Sequence, residues 1–101
     1  MEKTLFRVID ICRTNNIERT FVHELHNNGL IEIIVQEEQE FLEEEQVYHV
    51  ERFSTWHYEL DLNVQGIEVV SNLIHKIEEL QRELRSLKVE NKGGIEDNLG
   101  I

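Results

Sequence analysis

His23-Glu24-Leu25-His26 sets two imidazoles three residues apart, the spacing in this chain nearest to a metal site. On one helix turn the two rings could supply half of a tetrahedral zinc set. The run is not HExxH, and no Cys pair or second His pair completes it, so exposed or helix-capping histidines are expected instead. His49, His57 and His75 have no spacing that converges on a site. The single Cys12 cannot form an intramolecular disulfide and lies among apolar residues, which reads as a small core residue rather than a reactive thiol. No nucleophile elbow, phosphate-cradling glycine loop or pair of catalytic acids with a cleft is present. The reading is of a chain that is not an enzyme and uses no metal or cofactor.

Charge and aromatic residues remain as candidates for binding. The formal net charge of -11 opposes contact with a polyanion, whose affinity for proteins comes largely from Lys and Arg releasing counterions. A basic protein surface fits better. Glu37, Glu38, Glu40, Glu43, Glu44 and Glu45 crowd one stretch and form the candidate partner-binding surface; a solvated acidic loop that confers solubility is the alternative. Trp56-His57-Tyr58 is the densest aromatic patch, and Trp and Tyr are favoured where partners anchor. Trp56 is read as core between two helices, and Tyr58 as the exposed member that joins the candidate surface.

These residues need elements to position them. A chain of 101 residues is one small domain, with a core too small for a large buried active site. No apolar run is long enough to cross a bilayer, and Met1-Glu2-Lys3-Thr4-Leu5-Phe6 lacks the apolar core of a signal peptide, so a cytoplasmic location is expected. Residues 3 to 8 read as a short strand entering a helix at about Ile9, with Val8, Ile11 and Cys12 facing inward. Asn15-Asn16 breaks that helix, because asparagine tolerates the left-handed backbone of a tight turn, and Ile17 plugs the junction. A second helix follows from Glu18 to Asn27 with Phe21, Val22 and Leu25 inward, capped by Gly29. Two short helices joined by a tight turn make a helix-turn-helix.

From Leu30 to Leu42 the period changes to alternation, and a hairpin wing is expected, although its tip Glu37-Glu38-Gln39-Glu40 has none of the usual turn residues. A third helix runs from about Glu44 to Tyr58 on Val47, Val50, Phe53 and Trp56. Asn63 then caps a long helix to Lys92. Along it Val70, Leu73, Ile77, Leu80, Leu84 and Leu87 alternate steps of three and four, the a/d seam of a coiled coil. β-branched Val70 and Ile77 at a, with Leu73, Leu80 and Leu87 at d, favour two parallel strands, and Glu83 would face Lys88 of a second copy. A homodimer seam is expected; the alternative is that the stripe covers the chain's own N-terminal part. The division reads as residues 1–62 for the winged part, 63–90 for the long helix of the same domain, and 91–101 as a flexible, glycine-containing tail.

The order of helix-turn-helix, short wing, third helix and long dimerising helix is that of the MerR-type winged helix regulators. Over residues 6–88 the chain more closely resembles the chaperone-modulator CbpM family. The resemblance rests on Asp10-Ile11-Cys12, on the Gly29-Leu30 ending of the second helix, and above all on Glu59-Leu60-Asp61-Leu62-Asn63-Val64-Gln65-Gly66-Ile67, which is similar to that family's ELxL(D/N)xxGI segment. It implies a mainly α fold, a MerR-like winged helix-turn-helix with a small β-hairpin wing and a long C-terminal dimerisation helix. It also implies a cytoplasmic dimer that binds the J-domain of a DnaJ-like co-chaperone and restrains its stimulation of Hsp70. The competing expectation is a DNA-binding transcription regulator. Against it, the second helix offers Glu18, Arg19, His23, Glu24 and Asn27 on its outer positions, and Leu42 and Glu43 follow Phe41 where MerR-type regulators place a basic residue.

Overall fold

A computed structural model of the chain describes residues 3–90. The expected tail at 91–101 lies outside the described residues. The elements are β1 Leu5–Arg7, α1 Val8–Asn15, α2 Arg19–Asn27, β2 Ile34–Gln36, β3 Gln39–Glu43, α3 Glu44–Leu60 and α4 Val64–Glu90. They fall into two compact units, one ending at Glu68 and the other beginning at Val69.

The first unit is built from helices whose ends are written locally. α1 stops because Asn16 takes the left-handed conformation, φ 55°. The Ile17 amide then reaches back to the Cys12 carbonyl at 3.0 Å, which brings buried Ile17 over buried Cys12. α2 ends the same way at Gly29, φ 76°, with the Leu30 amide on the Leu25 carbonyl at 2.9 Å and the Gly29 amide on that of His26. This paired return satisfies carbonyls that a helix end would otherwise leave bare. At the far end of the unit, the Asn63 side chain accepts the Gly66 amide at 2.8 Å and starts α4 as a cap.

Apolar spacing decides which faces meet. Val8 and Cys12 of α1, Phe21, Val22 and Leu25 of α2, Val50 and Phe53 of α3, and Val64 and Ile67 in the first turn of α4 are all buried in one core. Leu42 is the strand residue in that core, and Ile31 closes it from the loop before β2. Ile11, Val47, Trp56 and Leu62 pack around it, partly buried.

The wing differs from expectation in three respects. Its strands are shorter than the stretch from Leu30 to Leu42, because residues 30–33 form a loop in which the Ile33 amide donates to His26 Nδ1 at 3.3 Å and the Glu32 amide to Gln46 Oε1 at 2.8 Å. The sheet has three strands in the order β1-β3-β2, all antiparallel, so the entry strand joins the hairpin through Phe6↔Leu42. And the tip is a two-residue turn, with Gln36 paired to Gln39 and both Glu37 and Glu38 left-handed at φ 51° and 65°. Two left-handed turn residues match the twist of the flanking strands, which is why the turn forms although asparagine and glycine would suit it better. Val35 lies out at this tip and is 64 % exposed.

Among the described residues, the second unit is the rest of α4. On it Leu73, Ile77, Leu80, Leu84 and Leu87 are each about half exposed, from 47 % to 58 %, and Val70 is intermediate.

Candidate functional site: the wing contact and the acidic faces

Period-two alternation along β3 puts Glu40 and Leu42 on the same face. Leu42 enters the core, and Glu40, nearer the tip, meets α2. Four residues apart on a helix share a side, so Arg19 and His23 approach it together. Arg19 Nη2 donates to Glu40 Oε1 at 3.0 Å, and His23 Nε2 lies 3.0 Å from the same carboxylate. A carboxylate only accepts, so His23 carries its proton on Nε2 in this contact. The His23 hydrogen bond chiefly holds the Glu40 carboxyl below its ordinary pKa; burial opposes this and Arg19 adds to it.

His26 is turned elsewhere. Its Nδ1 accepts the Ile33 amide, so the two imidazoles that could have shared a metal serve two different wing contacts. Among the described residues no three His, Cys, Asp or Glu side chains gather as a metal cage. Cys12 is buried, and burial pushes its thiol pKa up, with Arg19 pulling slightly against it.

The six glutamates do not form one patch. Glu37 and Glu38 sit exposed at the tip, while Glu44 and Glu45 open α3 at the other end of β3, which spans five residues. At strand rise the two groups are about 17 Å apart. Glu43 lies at that far end beside Lys3, Nζ to carboxylate 3.6 Å. Glu40 is a correction to the expected surface: it points to α2 and is engaged there.

The aromatic patch resolves into separate roles. Trp56 is partly buried against the core, 5.5 Å from Phe53 between ring centres, and the Arg52 guanidinium lies 5.0 Å over its ring. His57 stacks on Phe21 at 4.4 Å, and its Nδ1 donates to the Leu62 carbonyl at 2.7 Å, tying the end of α3 to the turn that follows. Tyr58 is 44 % exposed, and its hydroxyl accepts the Glu18 amide at 3.1 Å. With Asn15, Asn16 and Ile17 of the α1–α2 turn and Glu51, Ser54, Thr55 and Glu59 of α3, it lines an open groove in the first unit. Glu51 and Glu59 were not among the expected site residues. Their spacing with Thr55, steps of four on one helix, was the signal available.

Two tightly joined short helices, a three-stranded wing and a third helix returning over both define a winged helix-turn-helix. The family model described as MerR HTH family regulatory protein matches residues 6–89. The chain belongs to that family. Among curated proteins, none matches it by sequence. No helix among the described residues is long and apolar enough to cross a membrane.

Proposed function

We propose that this MerR-family chain regulates by binding protein: as a cytoplasmic homodimer it engages the basic surface of a J-domain co-chaperone and restrains that partner's stimulation of Hsp70. The observation that carries this reading is the Arg19–Glu40 contact. Residues 18–40, which hold α2 and the wing tip, contain six carboxylates and the one arginine, and that arginine is held by the wing. Phosphate contacts supply a large share of a protein's affinity for DNA, and the one arginine of this stretch is already paired with the wing. Electrostatic complementarity to a basic partner speeds encounter, and apolar contacts then hold the complex.

The resemblance of the Glu59–Ile67 segment to the chaperone modulators supports the choice of partner. The apolar seam on α4 supports the dimer, since a row of half-exposed leucines with Ile77 among them is a surface that association covers. A second reading, DNA-binding transcription regulator, is favoured by the family itself and by the helix-turn-helix with its wing.

Calorimetric titration of the full chain with a J-domain from the same organism, at low and at high salt, tests the proposal. Saturable heat that weakens with salt is the expected result. Absence of heat at both salts overturns it and turns attention to promoter DNA.

A further inference from the structure

The groove between the α1–α2 turn and α3 is lined mainly by polar side chains, among which acceptors outnumber donors. The Ser54 and Thr55 hydroxyls both spend their protons on the Glu51 carbonyl, at 2.8 and 3.2 Å, which leaves their oxygen lone pairs for the groove. Asn15 spends one amide proton on the Ile11 carbonyl at 3.0 Å, which leaves Oδ1 and a second N–H, and the Tyr58 hydroxyl, which accepts from the Glu18 amide, keeps its proton to donate. The carboxylates of Glu51 and Glu59 stand on the same wall, exposed, and neither makes an ion pair among the described residues. Asn15 and Asn16 form the C-terminal end of α1, where the helix dipole adds partial negative charge. None of the lining residues is cationic, and Tyr58 and Ile17 supply the apolar part.

Two carboxylates without an ion pair, the hydroxyl lone pairs and a helix C-terminus, with no cation among the lining residues, favour a ligand that donates hydrogen bonds and always carries positive charge. Guanidinium has five N–H donors, no acceptor, and a flat face for an aromatic ring. We infer that this groove is the docking site for arginine side chains on a basic helix of a partner protein. Glu51 and Glu59 lie eight residues apart, about 12 Å along α3, so arginines two turns apart on the partner helix reach both. The inference rests on the reading that the chain works by binding a basic protein, and it moves the contact from the wing tip to α3.

The test uses the full chain and two probes: a synthetic helical peptide with arginines two turns apart, and the J-domain. With the peptide, amide chemical shifts of Asn15, Asn16 and the Glu51–Glu59 segment move, and a matched lysine peptide binds more weakly. Glu51→Gln with Glu59→Gln weakens binding of both probes by roughly ten-fold, Thr55→Val weakens it at unchanged charge, and Glu37→Gln with Glu38→Gln leaves it intact. All positions changed are exposed or half-exposed, and circular dichroism checks that each variant folds. Peptide shifts at the wing tip, or none in the groove, overturn the inference. A J-domain that binds wild type and the Glu51/Glu59 variant equally overturns it while leaving the co-chaperone reading standing. Peptide binding in the groove without any J-domain binding upholds the inference and fails that reading.

Discussion

Arg19 and Glu40, 21 residues apart in the chain, are joined at 3.0 Å between the first turn of α2 and the middle strand of the sheet. This contact, with His23 beside it, both fastens the wing and neutralises the cation that a DNA-reading helix would present.

Replacing Glu40 by Gln removes both charged contacts. Arg19 and His23 are about half exposed, so solvent screens them, and the expected loss is about 1 kcal/mol in urea unfolding. Because the Glu40 pKa is depressed on folding, its contribution is fully present above the ordinary carboxylate pKa of about 4.3 and disappears as pH falls through the lowered value. The stability gap between wild type and Glu40→Gln is therefore expected at pH 6 and should shrink progressively as pH falls below the ordinary carboxylate value and through the lowered one. A gap that widens in acid would contradict the assignment.

At the wing tip, Glu37→Asn with Glu38→Gly places residues that accept the left-handed conformation where both glutamates now bear it. Relief of this strain is expected to stabilise the fold by about 1 kcal/mol. Thermal melts followed by circular dichroism should show a midpoint several degrees higher; an unchanged or lowered midpoint refutes the cost assigned to this turn.

On α4, Ile77→Glu puts a charge in the middle of the apolar stripe. Sedimentation is expected to show wild type as a dimer and the variant as a monomer of unchanged helicity. A monomeric wild type removes the seam from the account of function.

Trp56→Ala deletes a ring held between the core and the Arg52 side chain. Since Trp56 is only partly buried, the cost should be about 2–3 kcal/mol, toward the lower end for a large aromatic. Binding of the J-domain by the fraction that remains folded is expected to be unchanged, and loss of binding at full stability would make Trp56 an anchor instead.

The helices could be read from the chain because their signals are local. Phe21, Val22 and Leu25 mark one face within a single turn, Asn16 and Gly29 mark the ends, and Asn63 announces α4 through its own side chain. Pairing between β1 and β3 was not legible, since a three-residue strand carries little pattern and its partner lies far along the chain. The acidic run looked like one surface because sequence proximity ignores the pleat: Glu40 faces α2, and the strand separates the tip from the base. The groove joins residues 15–17 to residues 51–59, and only the folded chain brings these together.

Glu40 and Leu42 share a face because they are two residues apart on one strand. Their roles are thus bound by parity. One residue inserted or deleted between them would turn either the leucine out of the core or the carboxylate away from α2. Among descendants of this chain, wing tips are free to differ in length and composition, while the Glu40-Phe41-Leu42 step is open to substitution but closed to insertion and deletion.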